Sequence, residues 1–177
     1  PLRVGVNQKH SLYVQGGEGN FLFGLGAGYN GISGVMEKSD RSVLSGNIDL
    51  IYRMSKFQFS NKFSLTSTDY KNPIVAFYEY AEANYFKASS PLWNAKQNSR
   101  DEGKNLALSN YFMAEYFPTT EWRVRARLGL TYGNDDTEKF YSRNDTRYED
   151  VETIKKGEYR STNTRKNQVE AELSVTY

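Results

Sequence analysis

Hydrophobic and polar residues alternate with a period of two along most of this chain, which is the signature of half-buried β-strands. The clearest run is Trp122 to Gly133. One face carries Trp122, Val124, Ala126, Leu128, Leu130 and Tyr132, and the other Arg123, Arg125, Arg127, Gly129, Thr131 and Gly133. Phe21, Phe23, Leu25, Ala27 and Tyr29 share a face opposite Leu22, Gly24, Gly26 and Gly28. Leu44, Gly46, Ile48, Leu50 and Tyr52 form a third face, and Phe57, Phe59, Phe63 and Leu65 a fourth. Val169, Ala171, Leu173, Val175 and Tyr177 oppose Gln168, Glu170, Glu172 and Ser174. Leu108, Phe112, Ala114 and Tyr116 follow the pattern less cleanly, because Asn110 interrupts their face. A short first strand, Lys9 to Gln15, completes a set of about seven.

The connections sort by length. Gly16 to Asn20, Ser55-Lys56 and Phe117 to Glu121 are short, whereas Asn30 to Arg41, Asp69 to Asn105 and Asn134 to about Asn163 are long. Short and long alternate. Outer-membrane barrels show this asymmetry, with tight periplasmic turns and long extracellular loops. Trp122 and Tyr132 bracket an apolar stretch of suitable height, since ten residues at ~3.3 Å, tilted ~40°, rise roughly 25 Å. The pattern predicts an all-β fold, an antiparallel transmembrane β-barrel segment. Residues 1–177 then form part of one barrel domain. The expected location is the bacterial outer membrane, with its lipid against one face. A soluble antiparallel sheet that binds a polymer through its aromatics is an alternative.

Composition agrees with a wall more than with a globule. Only 38% of residues are hydrophobic, yet 15% are aromatic, with 14 Tyr and 10 Phe. Tyr suits a boundary between apolar and wet surroundings. No stretch approaches the ~20 apolar residues of a membrane helix, but barrel strands alternate and so average to polar. With no cysteine, neither a disulfide nor a thiolate metal site is possible. A net charge of +2 gives no reason to expect nucleic acid. The chain opens on Pro1 without a basic start or an apolar run, so a mature chain or a fragment is expected.

Several tracts, in order, resemble SusC/RagA-type TonB-dependent importers. They are Lys9-His10-Ser11-Leu12-Tyr13-Val14 with Gly16-Gly17, Phe23-Gly24-Leu25 leading to Tyr29-Asn30, and Gly34-Val35-Met36-Glu37-Lys38-Ser39-Asp40-Arg41. In the last of these the family usually has Lys-Gly where this chain has Glu-Lys. Gly46-Asn47-Ile48, Tyr52-Arg53, Phe57 to Asn61, Glu79-Tyr80-Ala81 with Ala83-Asn84, and Arg125-Ala126-Arg127 continue the resemblance. It implies a barrel of about 22 strands filled by an N-terminal plug. It also implies a SusD-type lipoprotein lid as partner, energy from TonB through a missing N-terminal region, and oligosaccharide or peptide cargo. This chain would be the section just after the plug. About seven strands cannot close with every neighbour antiparallel, which agrees with an incomplete barrel. A small complete barrel, structural or porin-like, is a further alternative, since the last strand ends on an aromatic.

Candidate chemistry is sparse. Gly26-Ala27-Gly28-Tyr29-Asn30-Gly31 matches G-x-G-x-x-G, but a phosphate cradle needs a helix directly after it. Ile32-Ser33-Gly34 and a charged loop come next instead. The glycines are expected to leave space for a plug or a neighbouring side chain. Arg123, Arg125 and Arg127 are candidates for lumen or substrate contact, against the plainer reading of a solvated or plug-packed wall. Tyr80 and Trp93, in the longest loop, are further candidates, and Ile74 to Phe86 has the Ala/Glu content of a short helix. Asp135, Asp136, Glu138, Asp145, Glu149, Asp150 and Glu152 lack the regular spacing of a calcium loop. His10 is the one histidine, which excludes a multi-His metal site and most Ser-His catalysis. No enzyme, metal or cofactor is expected.

Overall fold

The computed structural model describes residues 3–74, 98–148 and 150–177. Seven strands form one antiparallel sheet in the order β1-β2-β3-β4-β5-β6-β7, each paired with its neighbours in sequence. They are β1 (Val6–Glu18), β2 (Phe21–Ser33), β3 (Asp40–Met54), β4 (Phe57–Asn72), β5 (Arg100–Tyr116), β6 (Arg123–Tyr141) and β7 (Glu158–Thr176). The sheet is open: β1 and β7 do not meet. No helix among the described residues is long and apolar enough to cross a membrane, which says nothing of crossing by strands.

Every apolar face read from the sequence falls on the same side of this sheet. Phe21 pairs with Tyr52, Tyr52 with Phe59, Phe59 with Ala114, Ala114 with Ala126 and Ala126 with Leu173. Because directly paired residues point the same way, one face is an apolar band and the other a polar wall. Among the described residues no hydrophobic side chain is buried. Leu128, Leu130 and Leu173 stay 43%, 46% and 75% exposed, so the band has nothing packed on it.

The band is slanted relative to the pairing. In β2 it begins at Tyr29, whose row runs through Leu44, Ser67, Leu106 and Asn134 to Arg165 of β7. In β7 the apolar positions begin only at Val169, four residues lower than Arg165. The lower limit shifts in the same direction. The row of Phe21 meets β6 at Ala126, yet the apolar face of that segment continues four residues further, to Trp122.

Among the described residues the aromatic ring contacts gather toward the short-turn end. Phe57 stacks on Tyr116 at 4.7 Å between ring centroids, and Trp122 meets Tyr177 at 4.9 Å. Gly19-Asn20 and Ser55-Lys56 close the two tightest hairpins. Gly19 (φ 58) and Ser55 (φ 51) both adopt the left-handed backbone at the first turn position, a conformation free for glycine and costly for serine. The Lys56 ammonium donates to the Pro118 carbonyl at 2.7 Å and ties two turns together.

The strands are longer than the alternation predicts. The first runs Val6–Glu18 rather than Lys9 to Gln15, and the long connections shrink to 34–39, 73–99 and 142–157. The extra residues still pair in the ladder, but most of their side chains are polar, small or charged on both faces, as in Arg100 to Asn105 and Asn134 to Lys139, so little hydrophobic alternation marks them. Asp135, Asp136 and Glu138 therefore lie in β6, not in a loop. The connections still alternate in length, although 34–39 is no longer than 117–122. The helix expected over Ile74 to Phe86 lies outside the described residues from 75 onward.

Candidate functional site

On the polar face, near the short turns, one carboxylate organises four strands. The Glu115 side chain is 7% exposed. Arg125 Nε donates to its Oε1 at 3.1 Å, and Arg123 Nη1 lies 3.9 Å from the same oxygen. Gln58 Nε2 donates to Glu115 Oε2 at 3.1 Å, and Arg53 Nε donates to Gln58 Oε1 at 2.9 Å. The chain of contacts thus runs β3–β4–β5–β6. Arg127 pairs separately with Glu172 of β7 at 3.0 Å. All three candidate arginines stand on the polar face within ion-pair distance of a carboxylate from a neighbouring strand. Glu115 escapes a sequence reading, because its partner is set by strand register and not by spacing along the chain.

Most glycines of this face have their space filled from a neighbouring strand. A side chain at Gly24 would collide with the Tyr13 hydroxyl, one at Gly26 with Asn47 and one at Gly28 with the Ser45 hydroxyl. Tyr70 lies over Gly103 and Tyr111 over Gly129 in the same manner. Neighbouring side chains therefore use the space, and the wall keeps low relief. The G-x-G-x-x-G stretch sits inside β2, with no helix after it and no phosphate cradle.

At the long-loop end the connections are tied together. Ser99 is 2% exposed, its hydroxyl accepts from the Ser142 N–H at 2.8 Å, and its carbonyl accepts from Lys38 Nζ at 3.1 Å. Asp145 is 3% exposed and accepts from both the backbone N–H and the Nε of Arg147, at 3.2 and 3.1 Å. The Arg147 guanidinium also covers the Tyr141 ring at 3.5 Å. Burial pushes the Tyr148 phenol above its ordinary pKa, so it stays protonated. Asp145 spends its charge on Arg147. No group of three or more metal-ligating side chains occurs among the described residues. His10 stands exposed in β1. Tyr80 and Trp93 lie outside the described residues.

A cleft of about 540 Å³ opens on the apolar face directly above the band. Tyr29 sits at its lower margin, and charged residues of β3 to β6 line it. Lys104 pairs with Asp69 on one side and Asp136 on the other, and Lys71 with Asp40 and Glu102. Lys104 Nζ lies 3.8 Å from Asp69 Oδ1, while the Arg3 guanidinium holds Asp40 and Arg100 Nε approaches Glu102 at 3.6 Å. No protein-family model matches the chain, and no curated protein sequence matches it either.

Proposed function

We propose that this chain is a section of wall from an outer-membrane β-barrel. Within that class we assign it to a SusC/RagA-type TonB-dependent importer, taking up glycans or peptides with a SusD-type surface lipoprotein. The slanted apolar band carries the first part. A lipid slab is level, so strands that cross it obliquely enter and leave at different points of their register. A shift of four residues at ~3.4 Å across five steps of ~4.8 Å corresponds to a tilt of roughly 30°. Tilts of ~35–45° are usual for such barrels. From Phe21 to Tyr29 the band rises roughly 24 Å at that tilt, close to the apolar height of a bilayer. A soluble sheet of this extent would need a covering layer, and so large an uncovered apolar face points to an interacting surface.

The importer assignment rests on the ordered tracts from Lys9 to Arg127. Both sheet edges carry unpaired backbone, which suits a wall continued by further strands. On this reading Arg123, Arg125 and Arg127 face the lumen, and the wall is structural and not catalytic.

Membrane fractionation of the intact protein separates the two parts. Recovery in the outer membrane, resistant to alkaline wash, together with a co-purifying lipid-anchored surface protein, is the expected result. A lone barrel would overturn the importer assignment and leave the wall. A soluble protein would overturn both.

A further inference from the structure

If the band meets lipid, the cleft above it lies at the depth where a lipid head group sits, so its role as a site rests on the barrel reading. The residues are arranged in two rows across the strands. Each lysine stands between carboxylates, Lys104 between Asp69 and Asp136, and Lys71 between Asp40 and Glu102. The lysines are diagonal neighbours on β4 and β5, close enough to share one anionic group. Asp40 stands beside Arg3, and Glu102 and Glu138 beside Arg100, while Asn134 and Asn163 donate to the Asp136 carboxylate without neutralising it, so on this face the least compensated charges are those of Lys71, Lys104, Asp69 and Asp136. Lys104 is 81% exposed and only loosely paired at 3.8 Å, so a stronger acceptor can displace Asp69. A purely anionic ligand would gain from the lysines and be repelled by the carboxylates. A head group carrying both a phosphate and a primary ammonium satisfies the two sets together.

We propose that the cleft formed by Lys71, Lys104, Asp69 and Asp136 binds the head group of a zwitterionic phosphate-and-ammonium lipid. The lysines take the phosphate and the carboxylates the ammonium.

Native mass spectrometry of the detergent-purified intact protein tests this with phosphatidylethanolamine and phosphatidylglycerol as probes. Phosphatidylethanolamine should bind about tenfold more tightly, a ratio equal to ~1.4 kcal/mol. Lys71→Gln/Lys104→Gln should reduce phosphatidylethanolamine binding severalfold. Asp136→Asn should lower the preference while sparing phosphatidylglycerol, and this provides a second variant should the first fail to fold. Equal binding of the two lipids would overturn the proposal, as would phosphatidylglycerol binding that requires magnesium. Undiminished phosphatidylethanolamine binding in the double variant would do the same. Failure of the protein to partition into membranes at all would instead overturn the barrel reading on which the site rests.

Discussion

Asn61 of β4 and Asn110 of β5 exchange two hydrogen bonds within the apolar face, Asn61 Nδ2 to Asn110 Oδ1 at 3.1 Å and Asn110 Nδ2 to Asn61 Oδ1 at 3.0 Å. They are the polar interruptions of that face on their strands, flanked by Phe59, Phe63, Leu108 and Phe112. If this face meets lipid, as proposed, an amide on it would have no water to turn to, and here each satisfies the other.

Replacing either asparagine by leucine leaves its partner unpaired. Asn61→Leu or Asn110→Leu should destabilise the folded protein by about 1 kcal/mol, and the double replacement should recover most of that loss. A double-mutant cycle by denaturant unfolding in lipid vesicles measures the coupling. Additive single effects would mean the pair is solvated.

The Glu115 network predicts an order of effects. Glu115→Ala strips Arg125 and Gln58 of a shared, nearly buried partner and should cost about 2 kcal/mol. Arg123→Ala removes a 3.9 Å contact from a side chain that is 43% exposed and should cost less than about 0.5 kcal/mol. The same unfolding assay ranks the two. A larger loss for Arg123 would show that the carboxylate is not the centre of the network.

Tyr111 uses the space over Gly129, where an added Cβ would come within 2.8 Å of the ring. Gly129→Val should therefore destabilise by about 1–3 kcal/mol by displacing that ring. Adding Tyr111→Ala should relieve part of the strain, and thermal stability in detergent is a sufficient readout.

Ser55 adopts a left-handed backbone that Gly19 adopts without strain in the corresponding turn. Ser55→Gly should stabilise the β3–β4 hairpin by up to about 1 kcal/mol. A loss of stability would mean that the serine side chain holds the turn.

The sheet was legible because period two survives wherever one face is apolar and the other is not. The seven strands and their common face follow from Phe21–Tyr29, Leu44–Tyr52, Trp122–Tyr132 and their fellows. The pattern lost the strands where both faces turn charged, as in Asn134 to Tyr141, because ladder hydrogen bonds are made by backbone and leave no trace in side-chain type. The candidate site was legible only in part. The arginine row is visible as Arg123, Arg125 and Arg127, but Glu115, Gln58 and Arg53 join it through register. The cleft also escapes the eye, since Lys71, Lys104 and Asp136 are far apart in sequence and meet only by strand order. The glycines of β2 stand out in sequence, whereas Tyr13, Asn47 and Ser45, which fill their space, do not.

Ala27 of β2 and Asn167 of β7 lie in one pairing row on one face, linked through Gly46, Leu65, Leu108 and Tyr132. On the proposed barrel reading, a level lipid slab crossing tilted strands would place Ala27 inside the membrane and Asn167 outside it. Cysteine placed at each position in the intact protein, in membranes, can be challenged with a membrane-impermeant thiol reagent. Protection of Ala27→Cys with rapid labelling of Asn167→Cys is the predicted result. Equal, rapid labelling of both would contradict a membrane-spanning wall.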